Sequence, residues 1–384
     1  MKNYFIVLAY MQINKKVKLF IFQPYPHFGG ADRSIIKLIN GLNYSDITLI
    51  SILKCNYVKH LNKKVKFKQL ENKRVLFSIY ELRSYIKKEL LNIKSKKNII
   101  ISNQNFANVA TILALKDVSN IKTILIERNH LDELKNYNGT LDFLKKIVIS
   151  ILIKIFYKNS DAIVGISKKL SKDLKSFISN KVHTIYNPSL EDRIIKNNDV
   201  KLIQIPTSKK IILAVGFLEK QKDHITILKA INILKKKYKN FILIIVGRGT
   251  QLKKLQNYIN TNGLKNYVKI YQNINNPVQF YKIADLFILS SIYEGLGNVV
   301  VEALKHKCPI ITSDCNAGPM EIINYGKYGD FFPTGDFKVL SSKIANHLKN
   351  PERLKIKSIK AKKYIKKFSL EQNIKKFNAL FDGI

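Results

Sequence analysis

Residues 285–323, DLFILSSIYEGLGNVVVEALKHKCPIITSDCNAGPMEII, read as strand, glycine loop, helix, strand and turn in immediate succession. The run 285–290 is short and apolar and ends in hydroxyls, the pattern of a buried parallel strand that stops at a sheet edge. The glycines of Glu294-Gly295-Leu296-Gly297-Asn298 permit positive φ and close backbone approach. The helix predicted from Asn298 adds unpaired N–H groups and the positive end of its dipole, so a phosphate-bearing ligand fits this loop. Glu294 lies on the loop and Glu302 about one turn into the helix, with seven residues between them. Two carboxylates so placed can accept from different hydroxyls of one extended ligand. The same residues also suit a plain strand-to-helix turn with a solvated helical glutamate, and the two acids alone do not separate these readings. The repetition favours a ligand site: 308–313 reads as another strand followed by a turn over 316–322, and both loops fall where open α/β sheets bind ligands.

Working outward, short apolar runs at 17–23, 47–53, 98–102, 121–126 and 161–166 read as strands, with lysine-rich helical patterns between several of them. A second series begins at 211–216 and continues through 241–247, 267–271, 286–290, 309–313 and 329–333. A turn at 186–189 and about twenty polar residues separate the two series, and the domain linker belongs there. The chain thus reads as α/β, with two doubly wound Rossmann-like domains facing a cleft: an N-terminal one over 1–188 and a C-terminal one over 205–365. Ser369-Leu-Glu-Gln372 matches a capping box that opens a final helix within 366–384.

The chain has 384 residues, 46% of them hydrophobic, enough for two separate cores. Lys and Arg number 67 against 27 Asp and Glu, a formal charge of +40 that attracts anionic lipid, nucleic acid or phosphorylated substrates. Only seven of the cations are arginines, and lysine, isoleucine and asparagine abound together, as an AT-rich coding sequence produces. Cys55, Cys308 and Cys315 have no paired spacing and no histidine companions, so neither a disulfide framework nor a zinc site is expected, and a reducing compartment fits. The apolar run within 1–10 is too short to span a bilayer and lacks a cleavage region, and Met11 is an alternative start. The segment 143–157, FLKKIVISILIKIFY, is broken by Lys154 and cannot span either. It reads as a basic amphipathic helix at a membrane interface or as a core helix of the first domain. The core reading is placed first, and the two are compatible in a helix that is partly exposed.

At the Glu294–Glu302 pair, the Gly318-Pro-Met-Glu-Ile322 turn and the segment Tyr325-Gly-Lys-Tyr-Gly-Asp-Phe-Phe-Pro-Thr-Gly-Asp336, the chain resembles glycosyltransferase family 4, retaining enzymes of the GT-B fold. The resemblance covers nearly the whole chain and is densest over 211–336. It implies that Glu294 lies near the transferred sugar, that Glu302 binds ribose hydroxyls, and that Gly295, Leu296, Gly297 and Asn298 belong to the donor loop. It also implies that the last helices cross back onto the N-terminal, acceptor-side domain. Val215-Gly216-Phe-Leu-Glu-Lys-Gln-Lys222 resembles the stretch in which a lysine, often with an arginine, neutralises the leaving diphosphate. Lys222 falls on the lysine position, whereas Phe217 stands where the family usually has arginine. Gly247-Arg-Gly249 resembles the loop under the base or ribose, though a lone Gly-x-Gly also occurs without that role.

In the first series, Gly29 and Gly30 resemble the family's N-terminal glycine loop, placed against donor phosphates or acceptor, ahead of a helix predicted over 34–42. A tight strand-to-helix turn demands the same glycines. Glu127-Arg128-Asn-His130 resembles a segment of related polysaccharide transferases, with His130 hydrogen-bonding the transferred sugar and Arg128 near the donor; a polar loop without ligand reads equally well.

The resemblance implies a retaining, metal-independent glycosyltransferase needing no cofactor. It would move a hexose or N-acetylhexosamine from a nucleoside diphosphate sugar, UDP-linked for preference, to a lipid-linked or oligosaccharide acceptor in surface polysaccharide assembly. Its expected place is the cytoplasm, held peripherally at the inner membrane face on an anionic surface. The alternatives are a sugar-nucleotide epimerase or hydrolase on the same fold, and a non-enzymatic basic protein binding membrane or nucleic acid. No aromatic-basic RNA motif or zinc module supports a nucleic-acid partner.

Overall fold

The computed structural model describes residues 14–25, 29–54, 58–91, 97–137, 139–178, 181–191, 208–274 and 276–384. Cys55, the apolar run within 1–10, Met11 and most of the polar stretch after residue 191 lie outside the described residues. The chain divides into two compact units, one running to Pro188 and regaining Leu370–Ile384, the other spanning Ser189–Ser369.

In the first unit, β1 (Asn14–Phe22), β2 (Tyr44–Ser51), β3 (Val65–Gln69), β4 (Lys97–Asn103), β5 (Lys122–Glu127), β6 (Ala162–Gly165) and β7 (Val182–Thr184) form one sheet among the described residues. Its order is β3-β2-β1-β4-β5-β6-β7, parallel throughout. Apolar side chains drive this: on one face Phe20, Phe22, Ile50 and Ile100 pack with Leu82 and Ile86 of the helix Ile79–Leu91 and Ala107 and Ala110 of the helix Asn105–Leu115, while Leu19 and Ile21, alternating with them along β1, are buried as well. The helix predicted over 34–42 begins earlier, at Gly30, and runs to Gly41. Two strands escape the sequence reading. β3, VKFKQ, carries alternating lysines and is only half-buried because it is a sheet edge, where charge blocks further pairing. β7 has just three residues, too few to show a period.

The helix Leu370–Gly383 starts directly after Ser369 and buries Phe377, Leu380 and Phe381 in the first unit. Tyr44 stacks edge-on against Phe381 with ring centroids 5.9 Å apart and donates its hydroxyl to Asn378 Oδ1 at 3.1 Å. Asn373 donates to the Tyr186 carbonyl at 2.7 Å, so the last helix is fastened by packing and by polar contacts.

The segment 143–157 corrects the core reading. It lies in the helix Thr140–Phe156, whose only buried residues are Ile149 and Ile153, followed by buried Tyr157. Leu152 and Phe156 are half-buried, and its remaining large apolar side chains are exposed. Two inward positions per four turns hold the helix down; they do not make it a core helix.

The second unit repeats the plan with β8 (Lys210–Val215), β9 (Phe241–Val246), β10 (Val268–Tyr271), β11 (Leu286–Leu289), β12 (Ile310–Ser313) and β13 (Asp330–Phe332). The order is β10-β9-β8-β11-β12-β13, again all parallel. Every residue of β9, FILIIV, is buried, as a central strand covered on both faces requires. Both sheets reverse their order once, between β1 and β4 and between β8 and β11, and a crevice opens at such a reversal beyond the strand C-termini.

Candidate functional site

In the second unit the two motif loops leave the sheet side by side at that reversal. β8 runs into Gly216 and then the short 3-10 turn Lys220–Lys222; β11 runs into the loop that carries Glu294. Hydrogen bonds lace the loops together. Ile292 N–H donates to the Gln221 carbonyl at 2.8 Å, Gln221 Nε2 donates to the Tyr293 carbonyl at 2.8 Å, and Ser290 Oγ donates to the Lys222 carbonyl at 2.8 Å. Lys222 Nζ is thereby brought to Glu294 Oε1, which also accepts from Ser291 Oγ at 2.7 Å. Ser313 Oγ, at the end of β12, donates to the Ser291 carbonyl at 2.7 Å and holds that serine in turn. The lysine side chain is 17% exposed and the glutamate 8%, so the pair sits where screening is weak yet a ligand can reach it.

The histidine that follows Lys222 by two residues adds no positive charge beside it near pH 7. Asp223 adopts left-handed backbone (φ 45°, ψ 45°) at the entry to the helix His224–Leu234. Burial, with Lys222 beside it, pushes the His224 imidazole down to about 3, so the ring is neutral near pH 7.

Glycine is required here for two different reasons. Gly297, before the helix Asn298–Lys305, has φ +85°, which a side chain would strain. Gly247 instead permits close packing: a Cβ there would lie 1.9 Å from the Gly216 carbonyl oxygen, so the loops after β8 and β9 meet backbone to backbone. Gly216 itself faces the methylenes of Lys222, the nearest 3.6 Å from an added Cβ. A Cβ at Gly318 would come within 2.1 Å of Leu296 Cα, which explains the glycine of the 318–322 turn by its seat against the loop that carries Glu294. Leu296 is buried, Asn298 Oδ1 accepts from Ser189 Oγ at 2.8 Å, and Glu302 Oε2 accepts from Tyr281 OH at 3.0 Å. Asp336 has a local role, capping the helix Phe337–Lys349 through the N–H groups of Lys338 (3.0 Å) and Val339 (2.9 Å).

The first unit gathers its own polar cluster at strand ends. Arg128 is buried; its Nε and Nη2 donate to Asn103 Oδ1 at 3.1 and 3.0 Å, and Nη1 donates to Asn187 Oδ1. Burial lowers the guanidinium to about 10, opposed by Asp32 and Glu127 nearby. Arg128 also lines a small pocket with Ser34, Ile166, Asn187 and Asn373. Glu127 is pushed up to about 7 by burial, while Tyr157 OH, donating at 2.8 Å, works the other way. Gly29 has ordinary extended backbone (φ −78°), and its N–H donates to Asp32 Oδ2 at 2.9 Å, so it serves as the entry to the helix Gly30–Gly41. His130 is buried. Its Nε2 meets Asp173 Oδ2 at 2.7 Å, and its Nδ1 lies 2.9 Å from Asp132 Oδ2 and accepts from Asp132 N–H at 3.2 Å. Both ring nitrogens are engaged by protein, which gives the histidine an anchoring role in this turn.

The structure thus joins Lys222 to Glu294, sets Gly216, Gly295, Leu296, Gly297 and Asn298 on the adjoining loops, and seats Glu302 on the following helix. Arg128, His130, Gly29 and Gly30 belong to the other unit. Sequence reasoning passed over Ser291, Gln221, Tyr281, Asn103 and Asn187. Ser291 stood inside the quoted run; Tyr281 carried no local signal.

Two doubly wound parallel units in one chain, with glycine loops at the strand ends, define a GT-B protein. A solved structure from Anabaena, Alr3699/HepE in complex with UDP, matches over 96% of this chain and all of that one, with TM-score 0.77 and 15% identity. Residues 195–367, all within the second unit, match the model described as glycosyl transferases group 1. Among curated relatives, the uncharacterized glycosyltransferase MJ1059 of Methanocaldococcus jannaschii is 31% identical over 260 residues, 61% of this chain and 63% of that one, a little under two thirds of the relative's length. A Campylobacter jejuni α-1,4-N-acetyl-D-galactosaminyltransferase, named for an acceptor built on diNAcBac-PP-undecaprenol, is 25% identical over 323 residues, 82% of this chain and 84% of the relative.

Proposed function

We propose that this protein is a family 4 retaining transferase that moves a hexose or N-acetylhexosamine from a UDP-linked sugar to a lipid-linked or oligosaccharide acceptor. The observation that carries the reading is the Lys222–Glu294 pair, held by Ser291 at the reversal point of the second sheet. As the glycosidic bond to the donor breaks, negative charge grows on the departing diphosphate oxygen, and a fixed ammonium in a weakly screened site stabilises that charge without reorganising. Glu294 holds the ammonium in place and offers its carboxylate to sugar hydroxyls. Glu302, oriented by Tyr281, takes the ribose hydroxyls. The N–H groups at the start of the helix Asn298–Lys305 face the phosphates. In this proposal protein cations and dipoles replace a metal. In the first unit, Arg128 is held by Asn103 and His130 by Asp173, each within that unit's own polar network.

UDP is favoured because the Anabaena neighbour holds it. A diphospho-lipid acceptor is favoured by the name of the Campylobacter relative and by the +40 charge, which suits work at the anionic inner face of a membrane in surface polysaccharide assembly.

The test is nucleoside diphosphate release by the purified protein from UDP-, GDP- and ADP-sugars, with and without membrane lipid extract, beside Glu294→Ala. Acceptor-dependent release from one donor, lost in the variant, is expected. Absence of both release and donor binding, in a protein that still binds lipid or nucleic acid, overturns the enzyme reading.

A further inference from the structure

The helix Thr140–Phe156 carries two apolar faces, and the fold uses one. Ile149 and Ile153 point inward, and Tyr157 just beyond them donates to Glu127 Oε2 at 2.8 Å and accepts from Asn108 Nδ2 at 3.0 Å. On the opposite side Leu141, Leu144, Val148, Ile151 and Ile155 recur at alternating spacings of three and four, the period of a continuous helical stripe. Each is 47–74% exposed. The stripe is about 21 Å long at 1.5 Å per residue. A soluble surface rarely leaves so ordered an apolar row uncovered.

Charge decides what covers it. Helical geometry puts exposed Lys145 along one margin of the stripe and exposed Lys154 along the other, and exposed Lys158 follows in the 3-10 turn just past the helix end. The single carboxylate of the helix, Asp142, pairs with Lys146 at 3.4 Å. An apolar row flanked on both sides by long cationic side chains suits the boundary of an anionic bilayer, with acyl chains below and lipid phosphates beside the ammonium groups. A second copy of the chain would set lysine rows against lysine rows in a molecule of charge +40, with no acid on this face to complement them.

We propose that this outer face is the membrane-docking surface of the protein, lying in the plane of an anionic lipid surface. Its purpose rests on the reading that the acceptor is lipid-linked; its physical basis does not. No helix among the described residues is long and apolar enough to cross a membrane, so this attachment is peripheral for that part of the chain. Through Tyr157 and Glu127 the docked helix is joined to the strand end that bears Arg128, so lipid binding and the acceptor-side polar cluster share one element.

The experiment is co-sedimentation of the full chain with vesicles of phosphatidylcholine alone or with about a third phosphatidylglycerol. The variants are Val148→Asp with Ile151→Asp, and Lys145→Glu with Lys154→Glu and Lys158→Glu. Wild type should bind the anionic vesicles; the first variant should lose about tenfold or more in partitioning, and the second should lose its preference for anionic lipid. Unchanged partitioning in both variants, with melting temperatures like wild type, refutes the proposal. So does a wild-type dimer by light scattering that the apolar variant dissolves without any vesicle binding. Release of nucleoside diphosphate measured in the same preparations without vesicles separates the two readings: docking can fail while transfer stands, and transfer can fail while docking stands.

Discussion

Lys222→Met leaves the Glu294 carboxylate held by the Ser291 hydroxyl with nine-tenths of its side chain out of water. Removing one member of a buried pair costs about 3–5 kcal/mol, and the partial exposure of both groups brings the expected loss of stability to about 2–3 kcal/mol. Glu294→Gln keeps an oxygen for Ser291 and should cost about 1–2 kcal/mol. With both changes no charge is left unpaired, so the double variant should be less destabilised than the sum of the singles by about 1–2 kcal/mol. Catalysis should not follow stability. If Lys222 stabilises the leaving diphosphate, its loss lowers kcat by about 10²–10³-fold, and pairing it with Glu294→Gln restores nothing. Chemical denaturation gives the first quantity and nucleoside diphosphate release at saturating donor gives the second. A double variant that regains both stability and turnover would show that the lysine serves only the ion pair, and the proposed chemistry would fall.

Three further outcomes follow from the geometry. Gly247→Ala should cost several-fold in soluble yield and lower the melting temperature of the second unit markedly, because its Cβ would meet the Gly216 carbonyl at 1.9 Å; a wild-type melt would refute the packing. Tyr281→Phe removes the donor to Glu302 and should raise KM for the nucleotide sugar by about three- to tenfold with little change in kcat, as expected for one hydrogen bond to a charged group. His224 binds its proton at about 3 in the fold against an ordinary 6.5, so the unfolded chain holds more protons between those values and stability falls as pH drops through that window. A His224→Leu variant should therefore lose less stability than wild type between pH 6 and pH 4, measured by thermal melts; parallel curves would refute a neutral buried ring.

The apolar runs of all but two strands were visible, because strands covered on both faces must be apolar throughout. β3 hid behind its lysines, since an edge strand needs only one buried face, and β7 was too short to register. The glycine loops were equally visible, but not what each glycine is for. Gly297 needs its handedness, while Gly247 and Gly318 need the absence of a Cβ against another loop, a fact of tertiary packing. The histidine of the Glu127–His130 turn looked available to a ligand until Asp173, 43 residues away, was found on its ring.

What the amino-acid order determined by itself was local: alternating apolar runs and glycine turns dictate two doubly wound parallel sheets, and strand ends dictate where loops gather. Only the tertiary structure joined Lys222 to Glu294 across 72 residues, because the pairing follows from β8 and β11 lying side by side where the sheet order reverses. It alone also divided the helix Thr140–Phe156 into a face that is buried and a face that is not. Apolar periodicity records that a side chain avoids water; which neighbour removes the water depends on what the rest of the chain brings beside it.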